Sequence, residues 1–192
     1  MKLSPKFTEA LEFATKLHNH QNRKGTNVPY ISHLLIVAGM VLEFGGNEDQ
    51  AIAALLHDAI EDQGGKSTRV QIRDKFGENV TRIVDGCTDS DTFIKPPWRK
   101  RKENYLQHLE QADDSILLVS GCDKIHNAGS ILRDYRILGD SLWSRFHGGK
   151  EGTLWYYREV LKVFLKHKPG PVADELNRIV TELENLASKI QD

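Results

Sequence analysis

Cysteine is scarce: the 192-residue chain carries only Cys87 and Cys122, which form neither a zinc-ligand spacing nor a disulfide framework. Both are expected to act as small buried hydrophobes. Long apolar runs are missing too. No stretch approaches the roughly 20 consecutive apolar residues of a membrane-spanning helix, and Met1 to Lys6 holds no signal-peptide core. These absences exclude a disulfide-stapled scaffold and a membrane span, and the reducing cytoplasm is the expected compartment. Charge of one sign is also lacking. The 26 Lys and Arg against 27 Asp and Glu leave a net charge of −1, without the broad basic face of a nucleic-acid binder.

Two familiar catalytic signatures fail as well. Gly65-Lys66-Ser67 mimics the end of a phosphate-binding P-loop, but position 60, where that motif needs its first glycine, is Ile60. Ser120-Gly121-Cys122 lacks the glycine pattern of a nucleophile elbow, so covalent catalysis has little support.

What is present is helical spacing almost throughout, with no evident strand alternation. Ser4-Pro5 caps a segment in which Phe7, Leu11, Ala14 and Leu17 form one face. Gly45-Gly46 ends a second segment, and Asn47 with Gln50 reads as a capping box for a third. The expectation is an all-α bundle in one domain spanning 1–192, with 39% hydrophobic residues to fill a sizeable core. After the break Lys168-Pro169-Gly170-Pro171, a last helix over about 172–190 carries a stripe of Val172, Leu176, Ile179, Leu183, Leu186 and Ile190. Packing on its own bundle is the first use for this stripe, and homodimerisation the second.

The chemistry-bearing residues lie on these segments. The run Ala51 to Asp62 is an apolar helical segment ending in His57, Asp58, Glu61 and Asp62. On a helix Glu61 stands one turn beyond His57, and Asp62 one turn beyond Asp58. Carboxylates at a helix C-terminus face the negative end of the macrodipole and call for a cation or ample solvent. Alone, the His57-Asp58 pair is equally readable as a ligand pair or as a core histidine beside a solvated helix end. Two further residues shift that balance. His33 starts a second apolar segment and Asp123 lies just beyond a third, Ile116 to Cys122. Each would project a polar group from a buried element, a cost that convergence on one ion resolves. Two imidazoles and two carboxylates suit manganese, iron or zinc better than calcium.

Two basic segments point to an anionic ligand. Arg23-Lys24 precedes the turn-like Gly25-Thr26-Asn27 and can bring cations and amides to a phosphate, or simply be a solvated loop. Lys95 to Lys102 holds five basic residues around Trp98, of which one or two are expected to reach the site. The long loop near residues 88 to 97 and Gly148-Gly149 are expected to flank the pocket. His18 and His20 lack matching carboxylates for a second metal pair and are expected to be exposed, or supporting at most.

In order, Arg23-Lys24-Gly25-Thr26, Pro29-Tyr30-Ile31-Ser32-His33, Ala54 to Asp62, Asp123-Lys124-Ile125-His126-Asn127 and Leu154-Trp155-Tyr156-Tyr157-Arg158 resemble the HD-domain hydrolases of the RelA/SpoT-homologue group, which degrade guanosine tetra- and pentaphosphate alarmones. The resemblance runs through most of the chain. It implies that His33, His57, Asp58 and Asp123 hold a manganese ion and that Glu61 and Asp62 position and activate the attacking water. It assigns nucleotide binding to Arg23, Lys24, Asn127 and Tyr156, with Tyr157 in its place if the register shifts by one. Ser130 falls where a small hydroxyl residue often lines the family's pocket. The chain departs from the pattern at Gly129, where many members carry arginine, and Arg133, one turn later, is the expected substitute.

The implied reaction is removal of the 3′-pyrophosphate from guanosine 3′-diphosphate 5′-di- or triphosphate by a stand-alone small alarmone hydrolase, since the length leaves no room for the synthetase domains of long members. Two alternatives stay open: an HD phosphohydrolase acting on another nucleotide, such as a 2′- or 3′-phosphorylated cofactor, and a non-enzymatic nucleotide sensor. Intact Glu61 and Asp62 argue against the sensor.

Overall fold

The computed structural model describes residues 2–89 and 96–189; Lys95, most of the expected 88–97 loop and Ile190 of the apolar stripe lie outside them. Among the described residues the chain is all-α, with an isolated bridge between Asn22 and Pro29 and no strand. The order is α1 (Pro5–Leu17), α2 (Ile31–Glu43), α3 (Glu48–Leu56), α4 (Ala59–Asp62), α5 (Lys66–Phe76), α6 (Glu78–Cys87), α7 (Trp98–Leu109) and α8 (Asp114–Leu138). A 3-10 turn over Gly139–Arg145, α9 (Gly149–His167) and α10 (Pro171–Lys189) follow.

The N-terminal caps form as their residues dictate. The Ser4 hydroxyl accepts from Lys6 N ahead of Pro5 in the first turn of α1. Asn47 and Gln50 satisfy each other's backbone N–H in a reciprocal capping box. Gly45, at φ 84°, turns the chain sharply after α2. The centre of the fold is α3, whose residues Ala51 to Leu56 are all fully buried. A helix that is apolar all round has no solvent face, and α1, α2, α6 and α8 pack around this one. A complete jacket of helices thereby holds the C-terminal end of α3, where His57 stands, in a dry interior.

One sequence expectation needs correction here. The Ala51 to Asp62 run is not one helix: α3 stops at Leu56, His57 caps it, and Asp58 opens the one-turn α4. Glu61 and Asp62 therefore sit on a separate one-turn helix, too short for a macrodipole to oppose them. Asp123 does follow its apolar run, and the helix continues through it. The residue is in the middle of α8, a 25-residue helix that crosses the core.

The last helix, α10, packs against α8 and α9, and Val172, Leu176, Ile179 and Leu183 are buried there. Leu186 is partly buried on the same core, so the described part of the stripe packs on its own bundle. Gly121 of α8 makes this packing close: a Cβ there would run into Val172 and lie 2.7 Å from Phe164 Cε1. A Cβ on Gly129, by contrast, would meet only Ile179 Cδ1 at 3.8 Å, an ordinary contact. Gly121→Ala is expected to cost about 1–3 kcal/mol through overpacking. Gly129→Ala should be neutral or stabilising by up to about 1 kcal/mol through helix propensity. Chemical denaturation of both variants against the parent chain checks the contrast.

Candidate metal centre and substrate cavity

His33 comes from the first turn of α2, His57 and Asp58 from the break between α3 and α4, and Asp123 from α8. His33 Nε2 lies 3.2 Å from Asp123 Oδ1 and 3.6 Å from Asp58 Oδ2. His57 Nε2 lies 3.0 Å from Asp58 Oδ2 and 3.5 Å from Asp123 Oδ1. Ligand atoms of His33, His57 and Asp58 all fall within 4.8 Å of one another, the spacing of a metal cluster. The structure therefore brings together the four side chains that sequence reasoning joined.

The hydrogen bonds around this quartet decide which way the ring nitrogens face. His57 Nδ1 is 2.8 Å from the Ala54 carbonyl oxygen, which can only accept, so Nδ1 carries the proton. His33 Nδ1 is 2.6 Å from His126 Nδ1. Burial first, and then the charges of His33 and Arg23, push His126 down to about 4, so it is neutral near pH 7 and able to accept from His33. In the neutral rings both Nε2 atoms are then the lone pairs, buried and turned toward the two carboxylates. Two lone pairs facing two carboxylates form a donor set that fits a divalent cation, with the outer hydrogen bonds fixing ring orientation.

The charges around the quartet are balanced by its surroundings. Burial opposes the charged form of His57, but the Asp58 charge and hydrogen bonds to Asp123 and Asp58 hold it well above its ordinary value, so a proton on Nε2 and a divalent cation would compete for the same position. Burial also disfavours ionised Asp58 and Asp123, yet the histidines, and Lys124 beside Asp123, keep both carboxyls well below the usual range. Asp58 Oδ2 accepts from Tyr30 Oη at 2.6 Å. Asp123 accepts from Lys124 Nζ and from Asn127 Nδ2, each at 2.5 Å, and Arg23 donates to Asn127 Oδ1 at 2.6 Å. Asn127 thus orients Asp123 besides facing any ligand, a role its expected assignment did not include.

A cavity of about 720 Å³ opens beside the quartet. Its wall on that side is Tyr30, Lys124, His126 and Asn127, each bonded to one of the four residues. Arg23, Lys24, Asn127, Ser130 and Tyr156 all line it, and so does Tyr157. The Tyr156 hydroxyl is buried without a hydrogen-bond partner, and Lys102 Nζ lies 4.9 Å from the ring centre of that residue. Arg133 also lines the cavity, whereas position 129 faces α10, so the glycine there leaves the cavity wall unchanged.

Glu61 and Asp62 lie outside that wall. Glu61 Oε2 accepts from Asp89 N at 3.2 Å and its other oxygen is 3.9 Å from Arg101, while Asp62 Oδ2 accepts from Gln21 Nε2 at 2.8 Å. Of the basic cluster, Lys102 reaches the cavity and Arg101 reaches Glu61. Sequence reasoning assigned no roles to Lys124, His126, Tyr30 or Arg145. Only the first three had a signal, their place inside the motifs around His33 and Asp123. Of the two expectations for His18, exposure is overturned: it is 2% exposed and stacked on Tyr30 at 5.2 Å between ring centres. His20 is exposed.

An all-helical fold holding two histidines and two aspartates in a dry centre beside a cationic cavity defines a metal-site protein of the HD class. The chain belongs to the HD domain family, whose model matches residues 10–153, and within it to the RelA/SpoT-homologue group. It is 37% identical over 139 residues to a Xenopus tropicalis protein named guanosine-3′,5′-bis(diphosphate) 3′-pyrophosphohydrolase MESH1, covering 71% of this chain and 73% of that one. The human MESH1 is 30% identical over 171 residues, covering 83% and 93%. An Aquifex aeolicus enzyme of the same activity name is 35% identical over 64% of this chain but only 17% of its own length. Among solved structures, a metazoan orthologue of SpoT shares the fold with a TM-score of 0.78 at 24% identity, over 95% of this chain and 97% of that one.

If the quartet holds a divalent ion, manganese above its dissociation constant should raise the melting temperature with the logarithm of its concentration. At a hundred times the dissociation constant this amounts to about 2.7 kcal/mol of added stability. His57→Ala and Asp123→Ala should abolish that metal-induced rise in a thermal melt.

Proposed function

We propose that the chain is a manganese-dependent guanosine-3′,5′-bis(diphosphate) 3′-pyrophosphohydrolase acting as one unit, with GDP or GTP and pyrophosphate as products. The observation that carries this reading is the cationic cavity whose wall residues Tyr30, Lys124, His126 and Asn127 are bonded directly to the two imidazoles and two carboxylates clustered beside it. A cluster of Arg23, Lys24, Lys102 and Lys124 suits a substrate with several adjacent phosphates. The identities of 30–37% to curated 3′-pyrophosphohydrolases support the same reading.

His33, His57, Asp58 and Asp123 would hold the metal, which when bound supplies a Lewis acid and an acidified water. The remaining chemistry belongs to the chain. Arg23, Lys24 and Lys102 bind and offset charge on the phosphoryl oxygens, and Lys124 shares that task while it stays charged. Burial opposes its charge, but Asp123, Tyr105 and Tyr156 hold its pKa well above the ordinary lysine value. Asn127, Ser130 and Tyr156 position the nucleotide, the buried Tyr156 hydroxyl having its hydrogen-bonding capacity free for it. Glu61 and Asp62 orient the water and take its proton as its oxygen adds to the proximal 3′ phosphorus. The bond between that phosphorus and the ribose 3′ oxygen breaks, the oxygen regains a proton, and the 5′ phosphates stay intact.

The test is pyrophosphate release from guanosine 3′-diphosphate 5′-diphosphate, with manganese and with a chelator, against a panel of 2′- and 3′-monophosphorylated nucleotides. Manganese-dependent GDP formation is expected. Turnover confined to the monophosphates, or binding without turnover, would overturn the reading. A Glu61→Gln, Asp62→Asn double variant should lose at least about 100-fold in kcat while binding manganese as the parent does in calorimetry. Full turnover in that variant would sink the assignment of the two acids.

A further inference from the structure

The mechanism leaves one buried histidine unused. His18, just past the end of α1, is 2% exposed, and its Nδ1 lies 2.6 Å from Gln21 Oε1. The Gln21 amide also meets Gln63 Nε2, at 2.6 Å on its oxygen, and donates from its own nitrogen to Asp62 Oδ2 at 2.8 Å. An ionised carboxylate only accepts, so the amide must turn its NH2 group to Asp62 and its oxygen to His18 and Gln63. His18 Nδ1 is therefore a donor. The Gln21 backbone is pinned as well, donating to His18 O at 3.0 Å and accepting from Tyr30 N at 2.9 Å. The His18 ring stacks on Tyr30, at 5.2 Å and 18°, and the Tyr30 hydroxyl donates to Asp58 Oδ2 at 2.6 Å.

From this arrangement we propose that His18 and Gln21 are positioning residues that set the orientation of Asp62 relative to the metal-site carboxylate Asp58. One imidazole reaches both acids: its N–H locks the amide that holds Asp62, and its face supports the phenol that holds Asp58. This fits the cost the site accepts, because the other nitrogen of His18 is buried without a hydrogen-bond partner. An unsatisfied nitrogen is kept where the orientation of the ring matters to something else. A misaligned base loses rate steeply while substrate binding is untouched, so the pair should act on kcat and not on KM.

The inference rests on the proposed role of Asp62, and the test separates the two. His18→Phe keeps the stacked ring but removes the N–H; Gln21→Met removes the amide. Each should lower kcat at least tenfold in pyrophosphate release, with KM within about twofold and manganese affinity unchanged in calorimetry. The double variant should fall no further than the worse single one, since both break the same connection. Multiplying losses, or full kcat in either single variant, would overturn the proposal. Should His18→Phe fail to fold, Gln21→Met carries the kinetic test. Asp62→Asn is assayed in parallel. If it keeps full turnover, the role of Asp62 fails, and the connection is judged from the nitrogen NMR spectrum of His18. A proton on Nδ1 that is lost in Gln21→Met supports it; a proton fixed on Nε2 overturns it.

Discussion

The rest of the structure depends on holding two imidazoles and two carboxylates together where three of the four side chains are buried and Asp58 keeps some exposure. Such a set repels itself, and burial removes the solvent that would otherwise screen it. The chain supplies part of the compensation through Lys124, Tyr30 and Asn127 bonded to the aspartates, and the donor set fits a divalent cation for the remainder. Rigidity follows from the location. The His57-Asp58 break stands at the end of α3, every one of whose residues from Ala51 to Leu56 is fully buried. A ligand pair on such an element cannot drift without opening the core.

The same hydrogen bonds join the centre to the cavity. Arg23 reaches Asn127, which reaches Asp123; His33 reaches His126; Tyr30 reaches Asp58. The outer partners of the metal site are also the cavity wall, so the groups that would orient the ion are those that would touch the substrate. Substitutions at Asn127 or Lys124 should therefore not separate cleanly into binding and chemistry. Burial stiffens this layer further, with Lys124 lying 4.9 Å from the centre of the Tyr105 ring and Lys102 at the same distance from Tyr156.

On the far wall, α7 and α9 meet through aromatic contacts. Trp98 packs against the bare backbone at Gly148 and Gly152, where a Cβ would come within 2.6 Å and 3.1 Å of its ring, and meets Trp155 and Tyr156 edge to face. The glycines are needed there because an indole occupies the space of their side chains. This docking sets where Lys102 and Arg101, one turn further along α7, approach the cavity and Glu61.

Local rules made much of this legible in the residues. Helical spacing, the Ser4 cap and the Asn47–Gln50 box depend on neighbours a few positions apart, and these formed as read. The quartet was legible because His33, His57, Asp58 and Asp123 are polar residues within otherwise apolar segments, a pattern whose energetic cost is visible without coordinates. Non-local geometry was not legible. The break after Leu56, the burial of His18, the orientation of Gly129 toward α10 and the pairing of Gln21 with Asp62 depend on which helix lies against which. By itself the sequence determined the helical class and which polar residues interrupt its apolar segments, since spacing carries these, while the expectation of an anionic ligand at the basic segments came with the resemblance to a known group. Only the tertiary structure decided which ring nitrogens face the two aspartates, which acids take support from which amides, and which cations reach the cavity, because those follow from hydrogen-bond directions between segments far apart in the chain.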